Sequence, residues 1–247
     1  MSVDPTRLYR LLHIGNPGDV EFYTRVCAGA GDVLELGAGW GRVSAALAAA
    51  GHRVWALELD PAMRAAAART LSEAGVWAQV QVVAGDMRAF DLGRTFERIL
   101  VPYCGLFCLA DDAEVVQALR AMARHLAPDG LLAFDGYQIV DPDEIEGGDD
   151  FEWLCEIRDG ERAIQVHELD VHQPEARCWQ VRYRFEAEDP PLRHEQVLHH
   201  HYLLRPELGG LLAEAGLTLL GLWGDFDGSP ADDEAPHLVV VAGHAAG

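Results

Sequence analysis

The sequence predicts an α/β protein: a doubly wound, mostly parallel seven-stranded sheet with an antiparallel β insertion after its fifth strand. Three observations predict it. Short apolar strands alternate with helices across short connections between residues 32 and 135. A glycine-rich turn, Gly37-Ala38-Gly39-Trp40-Gly41, directly follows the first of those strands. Between residues 141 and 204 the grammar changes to runs that alternate apolar and polar side chains, the mark of strands with one packed and one wet face.

Each element has a local cause. Leu8 to Leu12 starts a short helix that the turn residues His13 to Gly18 interrupt. Asp19 is expected to cap a second helix through Ala28, with Val20, Tyr23, Val26 and Cys27 near helical spacing. Asp32 to Leu36 is the first strand, and Arg42 to Ala50 an alanine-rich helix that Gly51 ends. Arg53 to Leu59 is the second strand, and Pro61, acceptable in a first helical turn, opens a helix through Ala74. Val80 to Ala84 and Arg98 to Val101 are strands, Ala113 to Leu126 is an amphipathic helix, and Pro128-Asp129-Gly130 turns the chain into Leu131 to Asp135. The insertion contains four runs: Phe151 to Ile157, Ala163 to His172, Cys178 to Glu188 and Leu192 to Leu204. A helix from Pro206 to Ala215 and strands Leu217 to Trp223 and Leu238 to Ala242 follow. The expected organisation is an N-terminal helical cap (1–30), an α/β domain (31–140 and 205–247), and the insertion (141–204) as a lid, dimer or substrate element.

The chain has 247 residues, about half of them apolar, enough for a real core. Its 19 Lys and Arg face 40 Asp and Glu, a formal charge of -21, which repels phosphate backbones and anionic lipid. Nucleic acid and membrane are therefore not the expected partners, and the charge itself reads as solubility. Five scattered cysteines form no CxxC pair, so they read as reduced thiols of a cytoplasmic protein. No segment approaches the ~20 apolar residues that span a bilayer.

The glycine turn excludes two ligand classes by its spacing. A dinucleotide fingerprint G-x-G-x-x-G would place its third glycine where Arg42 stands, and no Gly-Lys-Ser/Thr of a phosphate loop is present. The turn instead suits S-adenosylmethionine (SAM), whose amino-acid and ribose parts need close backbone approach at Gly37, Ala38, Gly39 and Gly41. Glu35, in the strand before the turn, puts a carboxylate near the cationic end of such a ligand. Glu58, followed by Leu59 at the end of the second strand, can accept from both ribose hydroxyls, with Asp60 as the neighbour that could substitute. After the third strand, Asp86 can accept from the adenine amine and the Met87 amide can reach a ring nitrogen.

With these residues in place, the sequence resembles the class I SAM-dependent methyltransferases over nearly its whole length. The segments ELGAGWGR, LELDPAM, AGDMRAF and HLAPDGLLAFD stand at that family's successive motifs. It is similar to bacterial small-molecule methyltransferases with an antiparallel insertion after the fifth strand, a layout shared by N,N-dimethyltransferases of deoxyamino sugars. The resemblance implies a Rossmann-like fold, SAM as cofactor and a small-molecule methyl acceptor with a nitrogen or oxygen nucleophile in secondary metabolism. It also implies that Tyr9 and Tyr23 close over the sulfonium, although either can equally be a packing aromatic.

The acceptor is expected beyond the carboxyl ends of the strands, near Pro102 to Phe107 and Asp135 to Gln138. Tyr103 lies in the first of these loops. Asp135 either contacts the acceptor or simply ends its strand. A protonated acceptor would need a base titrating near neutrality, and His199, His201 and His13 are the candidates. In a strand His199 and His201 share one face and His200 takes the other. Consecutive residues on one strand cannot converge on one ion, so no metal is expected. A SAM-binding regulatory partner that no longer transfers methyl is the alternative, and release of S-adenosylhomocysteine separates the two.

Overall fold

A computed structural model describes residues 4–145, 147–188 and 190–245. They divide into two compact units, residues 16–140 with 203–245 and residues 4–15 with 141–202. In chain order the elements begin α1 Pro5–Leu12, α2 Asp19–Val26, β1 Asp32–Leu36, α3 Arg42–Ala49, β2 Arg53–Glu58, α4 Pro61–Glu73 and β3 Val80–Ala84. They continue β4 Phe96–Val101, α5 Asp112–His125, β5 Leu126–Tyr137, β6 Glu152–Asp159 and β7 Arg162–Gln173. The last are β8 Cys178–Ala187, β9 Leu192–His201, α6 Leu208–Glu214, β10 Leu217–Trp223 and β11 His237–His244.

The larger unit is the expected seven-stranded sheet, in the order β10-β11-β5-β4-β1-β2-β3. Strands β1 to β5 pair in parallel, while β11 runs antiparallel to both β5 and β10. The order reverses between β1 and β4, and in an open α/β sheet the crevice beyond the carboxyl ends at such a point takes the ligand. Buried Val33, Leu100, Ala133 and Val239 from the central strands meet Leu47 and Leu71 from α3 and α4 in one core. Among the described residues no helix is long and apolar enough to cross a membrane.

The smaller unit is a four-stranded antiparallel sheet in the order β6-β7-β8-β9. Helix α1 supplies Leu8 to its core, which holds Ile164, Val166, Phe185 and Leu192. A two-residue connection at Gly160 and Glu161, with Gly160 at φ +65°, joins β6 to β7. Glycine takes that left-handed conformation without strain.

Several element ends differ from expectation, each for a local reason. Asp19 does not cap α2. Gly18 holds that position in a left-handed conformation, and Asp19 turns its carboxylate to Arg42 and to the backbone N–H of Asn16. Pro128-Asp129-Gly130 lies within β5, where the pairing slips between Phe96↔Leu126 and Arg98↔Leu131 and so absorbs the proline. Strand β9 stops at His201, and the Tyr202 N–H then bonds to the Arg177 carbonyl at 3.1 Å.

Candidate active site

The carboxyl ends of β1 and β2 meet the glycine turn that the sequence offers as a cofactor site. Gly37 and Gly41 have φ of +64° and +82°. A Cβ on Gly41 would stand 3.2 Å from the backbone and side chain of Ala67, and one on Gly37 3.2 Å from the Met87 methyl. Only glycine lets this turn lie so close to α4 and to the loop after β3. Inside the turn, the Gly41 N–H donates to the Ala38 carbonyl at 2.9 Å, and the Ala38 N–H to the Leu57 carbonyl at 3.1 Å.

Glu58 ties the turn to the next strand. One carboxylate oxygen accepts the Gly39 N–H and the other the Asp60 N–H, both at 2.8 Å. These bonds fix the plane of the carboxylate and leave each oxygen lone-pair capacity for a hydroxyl donor. Asp60 itself caps α4 through the N–H groups of Ala62 and Met63. Leu59 next to it is exposed, an apolar side chain beside the turn.

Glu35 is buried and accepts a hydrogen bond from the Ser44 hydroxyl of α3. Burial pushes its carboxyl from an ordinary 4.5 up to about 7, against the lowering effects of Ser44 and Arg42. Asp86 is held by Arg88, through the backbone N–H at 2.9 Å and the guanidinium at 2.6 Å, which lowers its carboxyl below the usual range. Two carboxylates thus flank a glycine turn that is exposed at Gly37 and half-buried at Gly39, with Ala38 and Gly41 buried, and with an ion-paired aspartate and Met87 on the next loop. The donor set fits a ligand that carries cationic centres, a diol and an adenine, as SAM does.

The ends of β4 and β5 build the other side. Pro102 is buried, and both Tyr103 and Cys104 have φ of +57°, a conformation non-glycine residues rarely take. Asp135, fully buried at the end of β5, accepts the Tyr103 N–H at 2.7 Å, the Cys104 N–H at 3.3 Å and the Tyr23 hydroxyl at 2.5 Å. Burial raises its carboxyl above the usual range, with these three bonds acting the other way. Asp19 and Arg42 form a two-bond ion pair at 2.8 and 2.6 Å, and the Arg42 guanidinium lies 5.7 Å from the Tyr103 ring centre. Phe107 is core: its ring packs so closely on Gly136 that a Cβ there would fall 2.2 Å from it.

Within the larger unit the fold therefore brings Glu35, Gly37, Ala38, Gly39, Gly41, Glu58, Leu59, Asp86, Met87, Pro102, Tyr103 and Tyr23 to the carboxyl side of its strands or against it. Tyr9, His13, His199 and His201 belong to the smaller unit. There Tyr9 stacks on His13 with ring centres 4.2 Å apart, and Tyr183 meets His13 edge-on at 5.3 Å. Burial, then the charge of His200, lowers His13 to about 4, and burial, then His199, lowers His200 to about 4. His201 is buried and His199 exposed beside Gln180. Sequence reasoning missed Ser44, Arg42 with Asp19, and the grip of Asp135 on the loop after β4. Their only signal was a polar residue at an otherwise apolar position.

Residues 33–130 match the family described as "Methyltransferase domain". The chain is 26% identical over 227 residues to a dTDP-3-amino-3,6-dideoxy-alpha-D-glucopyranose N,N-dimethyltransferase of Streptomyces fradiae, covering 88% of this chain and 85% of that one. It is 34% identical over 120 residues to a cypemycin N-terminal methyltransferase of Streptomyces sp, a match spanning 47% of this chain and 46% of that enzyme. Its fold is that of SAM-bound CalS10, an amino pentose methyltransferase from Micromonospora echinaspora, with a TM-score of 0.74, 24% identity and 99% of both chains covered. The matched segment takes in the glycine turn, Glu58, Asp86 and the strands that carry them, so the chain carries a methyltransferase domain whose cofactor is S-adenosyl-L-methionine.

Proposed function

We propose that the chain methylates an amine nitrogen of a small molecule in bacterial secondary metabolism, an amino sugar carried on a nucleotide being the favoured acceptor class. The observation that carries this reading is the length of the match to an amino-sugar N,N-dimethyltransferase, which runs through the insertion as well as the methyltransferase domain. The cypemycin enzyme, by its name, also acts on an amine.

Bound SAM supplies an electrophilic sulfonium methyl group. In this reading the chain does the rest by placement. Glu58 would hold the ribose diol through the oxygen lone pairs its two backbone bonds leave, and Asp86 with the Met87 amide would meet the adenine. Glu35, charged above about 7, would face the cationic end of the cofactor. The loop from Pro102 to Phe107 would line the transfer side, with Tyr103 against the acceptor. In-line alignment of this kind is worth ~7–11 kcal/mol of barrier. The amine nitrogen must arrive as a free base, form its bond to the methyl carbon as the carbon–sulfur bond breaks, and then lose its extra proton. Burial lowers His13 to about 4, which makes it a weak acceptor for that proton and leaves His199 and His201 as the proposed ones.

The test is methyl transfer from SAM to a panel containing a dTDP-3-amino sugar, a peptide amine and a phenol. S-adenosylhomocysteine release and a methylated product from the amino sugar are expected. Turnover of the phenol alone would overturn the nitrogen reading.

A further inference from the structure

We infer that Asp135 is the positioning residue of the transfer loop: its carboxylate fills the pocket of N–H groups presented by Tyr103 and Cys104 and so fixes the turn that displays the Tyr103 side chain. The inference rests on the reading that the loop after β4 lines the transfer site.

Two successive non-glycine residues at φ +57° are strained. Such a conformation persists only where its surroundings over-determine it. Consecutive N–H groups in this conformation converge into a concavity that binds an anion. Here that anion is the chain's own carboxylate, 2.7 Å from the Tyr103 nitrogen and 3.3 Å from the Cys104 nitrogen. Parallel pairing of β4 with β5, with Val101 opposite Phe134, puts residue 135 level with the start of this loop. A third donor, the fully buried Tyr23 hydroxyl, completes the set from α2 and leaves the carboxylate oxygens committed to holding the loop. A buried carboxylate with three donors is tolerable, whereas one stripped of them would not be. Asp135 is thus cut off from solvent and acts on the reaction through the loop.

The decisive property is conformational, so glycine tests it. Glycine adopts a left-handed φ without help. Asp135→Asn is expected to lower kcat on the amino sugar of the panel above by about 100-fold, while SAM affinity by calorimetry stays within about twofold. Adding Cys104→Gly to Asp135→Asn is expected to restore about tenfold of that loss, a coupling that a double-mutant cycle reads directly. Absence of any recovery, or an equal loss of SAM affinity, would overturn the inference, because Asp135 would then act on a reactant or on the cofactor turn. Should Asp135→Asn fail to fold, amide exchange on the unaltered protein decides. The Tyr103 and Cys104 amides should be protected, and exchange at the free-peptide rate would overturn the inference. Should the unaltered protein not methylate the amino sugar, the proposed acceptor class fails alone. The same cycle, read as melting midpoints, and the amide exchange still judge Asp135.

Discussion

Glu58 and Glu35 flank the same glycine turn but are held differently, and the difference sets what each should do when changed. Glu58 receives two backbone N–H groups and is prepositioned. Replacing it with alanine removes both anchors of the turn and the acceptor for the diol. With charge-assisted bonds worth ~1.5–3 kcal/mol each, SAM affinity should fall at least about tenfold in calorimetry. A fall smaller than twofold would remove Glu58 from the cofactor site. Glu35 is an acid whose folded value, about 7, lies above its ordinary 4.5. Its contribution to stability is therefore fully present below 4.5 and lost as pH rises through 7. Without cofactor, the protein should lose on the order of 3 kcal/mol across that window. Glu35→Gln should flatten the slope. SAM binding should respond oppositely, strengthening through the same range in the unaltered protein and losing that component in Glu35→Gln. A melting series and a titration series across pH check both signs. The glycines and the two glutamates were legible in the sequence because their meaning is local: spacing within one turn and the end of one strand. Asp135 was ambiguous because its partners, Tyr23 and Tyr103, lie 112 and 32 residues away. Local pattern carries no information about such pairs.

At the scale of elements, alternation along β9 separated the histidines correctly into two faces, but only the packed structure says which positions are covered. His199 is exposed, His201 buried, and His200 stands on the face that meets α1. His199→Ala should leave stability within ~0.5 kcal/mol, whereas His201→Ala should cost ~1–3 kcal/mol in urea titrations. If either histidine is the proton acceptor, turnover falls without any change in SAM affinity; unchanged turnover in both would retire that role. Helix boundaries were legible at Asp60-Pro61 but not at Asp4-Pro5, where the same pairing of capping carboxylate and proline starts α1 ahead of the expected Leu8. They were misread at Asp19, where a residue with every local feature of a cap is recruited by Arg42 instead. Breaking that pair in Asp19→Asn should leave a half-buried guanidinium short of its anion and cost ~2 kcal/mol. A change below 1 kcal/mol would show the pair to be dispensable.

For the whole molecule, the formal charge of -21 is the dominant electrostatic fact. Like charges spread over the surface repel one another, and salt shortens the reach of that repulsion from ~30 Å at 0.01 M to ~3 Å at 1 M. The melting midpoint should rise with sodium chloride over this range; a flat or falling profile would show that local ion pairs outweigh the global repulsion. The division into an open sheet and an antiparallel insertion was legible because an acidic stretch from Asp141 to Asp150 ends the strand–helix alternation and runs of period two begin at Phe151. The membership of α1 was not, since an eight-residue amphipathic helix looks the same whichever sheet it covers. The structure places it on the insertion's sheet, through Leu8 against Ile164, Val166 and Phe185. That placement has a consequence for biosynthesis. A peptide as short as α1 holds little helix by itself, and its partner strands emerge from the ribosome only after more than a hundred further residues of the larger unit. At ~5–20 residues per second, the nascent α1 spends many seconds with its apolar stripe uncovered. It is therefore a segment that shielding by a chaperone during translation would protect.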